Sequence, residues 1–243
     1  MRRAIAILGA LVLMLATAGA GHAMPLSDLL NGGSITAGDK LFDSWSLMYY
    51  DTSDPTRSLN AANIDVTALT DGGLDPGPGL KFFFNSELTV HGDGIYAYVD
   101  LMFGFRVSVL DPALAIKDGS LELLWSGLGS STGLTDGYNN DGMYVRESIG
   151  TGPGLNDLGV NEAEFSILDN EQTHVFSDST TFSPQSQVWV TKNILVWAEE
   201  VTDSATLGRF DQRFSQVPVG VPEPGMLAML ALGGIALMRF KRS

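Results

Sequence analysis

The chain contains no cysteine, so no disulfide can stabilise it and no zinc site can use thiolate ligands. Only 17% of its 243 residues are charged, and 14 Lys and Arg stand against 28 Asp and Glu. A protein that binds nucleic acid needs a basic face to neutralise phosphates, so this shortage of cations excludes that class of protein.

Segments with the 3.6-residue periodicity of an amphipathic helix are also scarce, and only Ser27 to Leu30 suggests a helical turn. The chain is instead rich in glycine, with 28 residues, and 44% of it is hydrophobic. This apolar content argues against disorder and is enough for one domain with a packed core.

The N-terminal segment has the three parts of a secretory signal peptide. A positive start with Arg2 and Arg3 precedes an apolar run from Ala4 to Ala18. A small-residue cleavage site follows at Ala18-Gly19-Ala20 or at Gly21-His22-Ala23, and we prefer the second. An uncleaved membrane anchor is the alternative, but this run spans only about 22 Å as a helix against a hydrocarbon core of about 30 Å. We therefore predict a signal peptide over residues 1–23.

The C-terminal segment also has three parts in a fixed order. The sequence Val-Pro-Glu-Pro-Gly at residues 221–225 is followed by an apolar run from Met226 to Met238 and by a basic end. The prolines interrupt any strand or helix from the body, and the positive-inside rule keeps the basic end in the cytoplasm. The pattern predicts a single apolar helix. This helix is short for a permanent membrane span and is better suited to a segment that stays in the bilayer only transiently.

This tail resembles the PEP-CTERM sorting signal of Gram-negative and related bacteria. In that family an exosortase, a membrane-embedded cysteine-dependent transpeptidase-like enzyme, is thought to recognise the Pro-Glu-Pro motif and process the tail. The resemblance implies that an exosortase is a partner, with Pro222, Glu223 and Pro224 as its recognition motif. It also implies a membrane stop made by the cations of the basic end, Arg239, Lys241 and Arg242.

Two segments of the body extend the resemblance. Thr191-Lys192-Asn193-Ile194 is similar to a "TKDI" strand, and residues 212–216, Gln-Arg-Phe-Ser-Gln, are similar to a "QxFSQ" segment. Many PEP-CTERM proteins carry both before the motif, although Asn193 stands where an Asp is common. The body type has no assigned activity, so this similarity supports the family and indicates no substrate.

The body between the two ends has a hydrophobic period of two. From Ile95 to Val109 every odd position is apolar, the pattern of a half-buried strand, and Gly104 is expected to mark a bulge or bend. Further candidate strands are Asp39 to Met48, Gly79 to Phe84, Ser86 to Val90, Ser120 to Ser126, Met143 to Glu147, Ala163 to Leu168, His174 to Phe176, Gln187 to Ala198 and Ala205 to Phe214.

Short strands separated by Gly, Pro and Asp clusters predict an all-β fold. We expect a single antiparallel β-sandwich, jelly-roll-like or immunoglobulin-like, over residues 24–217. It lies between the signal peptide and a sorting tail of residues 218–243 that holds the single apolar C-terminal helix.

Catalytic motifs are weak. Residues 129–133 fit G-x-S-x-G, but loop-forming residues rather than a helix follow Ser131, and His174 is the only downstream histidine to act as a base. We favour a flexible loop and predict no catalytic residues and no cofactor. A pair of carboxylates for glycoside hydrolysis stays an alternative, because a chain with 28 Asp and Glu always contains candidate pairs. No pair is marked by its spacing in the sequence.

The acidic segment from Asp136 to Gly142 offers oxygen ligands for calcium. Asp136, Asn140 and Asp141 are weak candidates, with Glu147 at the twelfth position of an EF-hand-like loop but Tyr138 at the third. Asp and Asn also occur in loops because they tolerate left-handed backbone and bond to their own turns. We therefore predict no metal site, with an incidental calcium site as the alternative.

Aromatic side chains give the best indication of a ligand, because polysaccharide-binding sandwiches stack sugar rings on exposed aromatics. The candidates are Trp45, Tyr49, Tyr50, Trp125, Trp189 and Trp197. Trp189 and Trp197 share odd parity with Thr191 and Asn193, which places them on the more polar face of their strand. They are the predicted stacking residues, although most aromatics in a sandwich belong to the core.

Together these features predict an exported, exosortase-processed protein that inserts transiently into the inner membrane. It is then delivered to the cell surface or the extracellular matrix, with a structural or adhesive role in exopolysaccharide. A carbohydrate-binding module is the alternative, and a polysaccharide-active enzyme is a weaker one.

The mass of the cell-associated protein tests the predicted processing of both ends. We expect the loss of Met1 to Ala23 and of the residues beyond about Glu223, because both apolar runs are short for permanent spans. Recovery of the full precursor from cells that carry an exosortase would contradict the prediction.

Overall fold

The protein is a sandwich of two antiparallel β-sheets in a computed structural model that describes residues 22–130, 140–169 and 171–219. The strands are β1 (Met24–Pro25), β2 (Ile35–Ala37), β3 (Lys40–Thr52), β4 (Asp65–Leu69), β5 (Gly79–Phe83), β6 (Thr89–His91), β7 (Ala97–Val109), β8 (Leu114–Ser130), β9 (Asn140–Gly150), β10 (Gly159–Leu168), β11 (Glu171–Val175), β12 (Ser177–Gln185), β13 (Gln187–Ala198), β14 (Asp203–Arg213) and β15 (Gln216–Pro218).

The first sheet has eight strands and the second has seven. The eight-stranded sheet runs β1-β4-β5-β14-β8-β12, with β6 paired to β14 and β15 paired to β8. The seven-stranded sheet runs β11-β10-β9-β13-β7-β3-β2. The all-β prediction is therefore confirmed for the described residues, whereas the signal peptide and the apolar tail helix lie outside them.

Helical structure among the described residues is limited to one short α-helix, α1 (Leu26–Leu30), and one 3-10 turn, Ala61–Asn63. The α-helix confirms the predicted helical turn, and it buries Leu26 and Leu29 against the sandwich. Within the described ranges, no helix has the length and apolar character needed to cross a bilayer.

The period-two pattern of β7 is confirmed. Its odd positions from Ala97 to Val107 face the core and its even positions are partly exposed, except that Gly104 is also buried. Ile95 was expected to be in this strand, but it precedes β7 and is 80% exposed.

The expected irregularity at Gly104 lies in the partner strand instead. β7 pairs with β13 without interruption through Gly104 and Thr191, whereas the register with β3 shifts between Asp43 and Ser46. The backbone of Ser44 has a positive φ of 56°. The extra residues are thus accommodated in β3, which bends around a regular β7.

Every predicted strand overlaps an observed one, but five strands were not predicted: β1, β2, β4, β12 and β15. Four of these have five residues or fewer, too short for an alternation to stand out. The fifth, β12, is polar apart from Phe182 and Pro184, and its register with β8 is interrupted between Thr181 and Gln185. A proline is tolerated there because β12 is an edge strand.

Aromatic rings join the two sheets. Trp45 of β3 stacks on Phe105 of β7 with centroids 4.4 Å apart, and Phe82 of β5 lies 4.7 Å from Phe210 of β14. Phe103 bridges the two groups, because its ring contacts both Trp45 and Phe82. All five side chains are buried, so the core is centred on rings contributed by both layers.

The segment before the tail is held by polar contacts with both sheets. Lys40 at the start of β3 is fully buried and donates a hydrogen bond to the side-chain oxygen of Gln216 in β15. The backbone N–H of Ser215 donates to Asp118 of β8 over 2.9 Å. Residues 212–216 are therefore packed into the body rather than serving as a linker.

Replacing Phe103 by Ala tests the inward face of β7. We expect a loss of about 3 to 5 kcal/mol in the free energy of unfolding, because the change removes ring contacts with both layers and leaves a cavity. The control Ser108→Ala on the even face should stay within about 0.5 kcal/mol. Equal urea midpoints for the two variants would show that β7 does not pack as described.

Candidate functional site

The four tryptophans differ widely in exposure. Trp45 belongs to the core, and Trp197 is only 7% exposed because its ring lies over Gly142 and its N–H donates to Asn140 over 3.1 Å. Trp189 is half-buried beneath the guanidinium of Arg106, which lies 5.8 Å from the ring centre. Trp125 is 50% exposed and offers the most accessible indole.

The expectation that Trp189 and Trp197 form an exposed pair is therefore not met. Both side chains leave β13 on its outer face, as the alternation predicts. Gly142 on the neighbouring strand lets the Trp197 ring lie flat against the sheet, since a Cβ there would be 2.5 Å from the ring. Only Trp189 keeps a partly open surface, and its face is shared with Arg106.

Trp125 is positioned by an irregularity in the eight-stranded sheet. Leu121 and Leu123 of β8 point into the core, so the alternation places Trp125 inward as well. The register between β14 and β8 shifts beside Arg209, which pairs with Trp125 while Phe210 pairs with Leu123. This shift turns the indole to the outer face.

Two contacts hold the Trp125 ring. It stacks on Phe83 of β5 with centroids 5.7 Å apart and planes 13° apart. It also covers Gly208 of β14, where a Cβ would lie 1.7 Å from the ring. A glycine is therefore required at position 208 for the indole to lie flat on the sheet, and the ring is fixed before any ligand arrives.

A groove with aromatic walls opens beside Trp125, and we call it the aromatic groove. It has a volume of about 410 Å³ and is lined by Leu123, Leu124, Trp125, Ser126, Phe165 and Phe176. The rings of Phe165 and Phe176 lie 5.7 Å apart, and His174 stacks on Phe176 at 5.5 Å. An apolar groove with a fixed, exposed indole is a surface suited to the flat face of a sugar ring.

A second groove lies on the outer face of the seven-stranded sheet. It has a volume of about 430 Å³ and is lined by Met48, Met102, Arg146, Ser148, Gly154, Thr191 and Asn193. Thr191 and Asn193 share the outer face with Trp189, as the sequence predicts. Arg146 is paired with Glu162 at 2.8 Å, so its charge is already compensated.

A pair of carboxylates lies on the same outer face. Asp51 of β3 and Asp100 of β7 are direct cross-strand partners. Hydrogen bonds, first that from Tyr98 at 2.8 Å, lower the pKa of Asp51, whereas burial and the charge of Asp51 raise the pKa of Asp100. Their opposite shifts resemble the division between an acid and a base, but neither side chain lines either groove.

The candidate calcium ligands are not brought together. Asn140 and Asp141 are consecutive in β9, so their side chains leave on opposite faces, and Asp136 lies outside the described residues. Glu147, the expected twelfth ligand, is buried and accepts a hydrogen bond from Lys192. Within residues 22–130, 140–169 and 171–219, no group of three or more acidic or histidine side chains could hold a metal ion.

The candidate Ser–His pair is only half described. Ser131 lies outside the described residues, and His174 is on the exposed edge strand β11, stacked on Phe176. His174 therefore contacts Phe176, one of the residues that line the aromatic groove.

Sequence reasoning named Trp125 among the aromatics but did not select it. Gly208 is the feature that lets its ring lie flat on the sheet, and a lone glycine inside a strand pattern is a known mark of a bulge or a close approach. Phe176 was assigned to a strand, but it lies between β11 and β12 where the chain passes from one sheet to the other.

No family model and no curated protein matches the chain. Among solved structures, it is similar to TmCBM61 in complex with beta-1,4-galactotriose, with 11% identity, a TM-score of 0.24, and coverage of 72% of this chain and 89% of that one. It is also similar to the enzymatically active domain of bacteriophage CBA120 tailspike protein 4, with 10% identity, a TM-score of 0.22, and coverage of 72% and 19%. At these TM-scores neither likeness indicates a ligand.

The variant Asp141→Asn tests the electrostatics at the start of β9. Burial, together with the charge of Asp203, raises the pKa of Asp141 from 3.8 to about 6, so folding favours the protonated form. The wild type should therefore lose about 2 kcal/mol of stability relative to the variant as the pH rises from about 4 to about 7.

Urea unfolding at both pH values measures this difference for the Asp141→Asn variant. The exposed Glu171→Gln is the control, and its difference from the wild type should not change with pH in this way. If the difference in free energy of unfolding between the wild type and Asp141→Asn were the same at both pH values, the assigned environment of Asp141 would be wrong.

Proposed function

We propose that this chain is an exported surface protein whose β-sandwich binds polysaccharide in the aromatic groove. Its role in this proposal is structural or adhesive, within an extracellular polysaccharide matrix. The observation that carries the proposal is Trp125, an indole that is 50% exposed and held flat between Phe83 and Gly208. A ring fixed in this way loses little conformational freedom when a ligand stacks on it.

The composition of the groove favours a stacking ligand. Its lining is mainly apolar, with Ser126 as the polar side chain among the residues that form it. Sugars combine an apolar ring face with hydroxyl groups at the edge, so they match a hydrophobic wall with few polar contacts.

The charge of the protein favours a neutral polysaccharide over an anionic one. The chain has a formal net charge of −14, which repels polyanions at a distance. Several of its surface cations are also engaged by carboxylates at 2.7 to 2.8 Å, namely Arg106, Lys117, Arg146, Arg209 and Arg213. A polyanion would have to compete with these internal partners.

Sorting by the C-terminal tail is the second part of the proposal. It is supported by the order of the Pro222-Glu223-Pro224 motif, the apolar run and the basic end. An exosortase-type enzyme would process the tail after transient insertion in the inner membrane, which would leave the sandwich on the outer side.

Affinity electrophoresis of the full chain in gels that contain a neutral β-linked glycan tests the binding site. The wild type should be retarded, and Trp125→Ala should migrate as in a glycan-free gel, because its stacking platform is gone. Gly208→Ala should also lose retardation, since the added Cβ displaces the ring while the indole remains.

Trp189→Ala is the matched control, because it removes an indole from the other sheet and should leave retardation unchanged. Loss of binding in Trp189→Ala alone would move the site to the outer face of the seven-stranded sheet and overturn this assignment. If the glycan were shortened rather than bound, and Asp100→Asn stopped the shortening, the chain would be a polysaccharide-active enzyme.

A further inference from the structure

Three polar side chains stand in one row inside the sandwich. Lys192 of β13 pairs in register with Glu147 of β9, and Glu147 pairs with Asn161 of β10. All three residues are 0% exposed, although they are an amine, a carboxyl group and a carboxamide. Strands β13, β9 and β10 are consecutive in the sheet, so the Cα atoms of Lys192 and Asn161 lie about 10 Å apart, with Glu147 between them.

The carboxyl group of Glu147 connects the other two. The Nζ of Lys192 donates to Oε2 of Glu147, and the Nδ2 of Asn161 donates to Oε1 over 2.9 Å. Nδ2 also donates to the carbonyl oxygen of Gly119 on the opposite sheet, again over 2.9 Å. Oδ1 of Asn161 is buried and has no hydrogen-bond partner among the described residues.

The surroundings of the row are apolar. The Nζ of Lys192 lies 4.9 Å from the centre of the Phe210 ring, and Gly119 leaves no space for a side chain between itself and Ile149. Burial lowers the pKa of Lys192, which favours the uncharged amine. An uncharged lysine amine is a nucleophile, and a fixed neighbouring carboxamide is an electrophile.

We propose that Lys192 and Asn161 form an intramolecular amide cross-link, with Glu147 as the group that carries the proton between them. The proximity of the reactants replaces an external catalyst, because three buried side chains are held on paired strands and cannot separate.

The reaction balances without any co-reactant. Nζ of Lys192 attacks Cγ of Asn161 and forms the new C–N bond, while a proton passes from Nζ to Oε2 of Glu147. The Cγ–Nδ2 bond then breaks, and the carboxyl group of Glu147 returns a proton to Nδ2. One ammonia molecule leaves, and no atom is oxidised or reduced.

The cross-link would remove a costly element of the core. A buried amine and carboxyl pair is expensive to desolvate, and its contribution to stability is small or negative unless the geometry is excellent. An amide replaces the ionisable amine with a neutral group. The bond would also join β13 to β10 across β9, a constraint of the kind that a disulfide supplies in other exported proteins.

Peptide mapping of the denatured full chain tests the proposal directly. Trypsin should fail to cleave after Lys192, and one branched peptide should contain both Lys192 and Asn161. Its mass should be lower by about 17 Da than the sum of the two parts, the mass of ammonia. Recovery of the two peptides separately, at their unmodified masses, would overturn the proposal.

The mass of the whole chain is not sufficient by itself. Asn31 precedes Gly32, and an Asn-Gly sequence can also lose ammonia by cyclising on its own backbone. The branched peptide distinguishes the two events, because backbone cyclisation leaves Lys192 cleavable.

Glu147→Gln isolates the role of the carboxyl group, since it keeps both reactants and removes the proton carrier. It should yield the two separate peptides, while Asn193→Ala, next to Lys192 but on the outer face, should yield the branched one. Circular dichroism confirms that each variant retains its strands. A branched peptide from folded Glu147→Gln would show that Glu147 does not carry the proton.

Discussion

The packing of aromatic rings between two sheets is the interaction on which the rest of this structure depends. The chain has no disulfide, and its described helical segments are short, so side-chain packing is the main contact between the two layers. Phe103 lies where the rings of the two sheets meet. Both grooves and the buried polar row are arranged around strands that this core holds in place.

Departures from regular pairing determine what the outer faces present. The register shift beside Arg209 turns Trp125 outward, and Gly208 lets its ring lie flat. Gly142 likewise lets an indole lie flat on its sheet, but the result is the opposite, because the ring of Trp197 is almost completely buried there. A glycine beneath an indole therefore permits either a binding platform or a closed surface, depending on what covers the other side of the ring.

The sequence was sufficient for the fold class and for the faces of the long strands. β7 and β13 alternate over enough residues for their inner and outer sides to be read directly. It was insufficient where two residues with the same parity have different environments. Leu123 and Trp125 differ in this way because a register shift depends on the partner strand, and partners are not visible in a single strand's pattern. The alternation of β13 places Lys192 on the inner face, but only the strand pairing shows that Glu147 lies beside it there.

The contacts of Gln216 have a mechanical consequence. If the protein is held at the cell surface through its tail, any pull on the sandwich enters at β15, the last described strand. That strand is paired with β8 of one sheet, and Gln216 accepts a hydrogen bond from Lys40 of the other. Tension would therefore be divided between the two sheets at β15. The backbone hydrogen bonds of β15 would be loaded along the strand, so several of them must break together before this strand separates from the body.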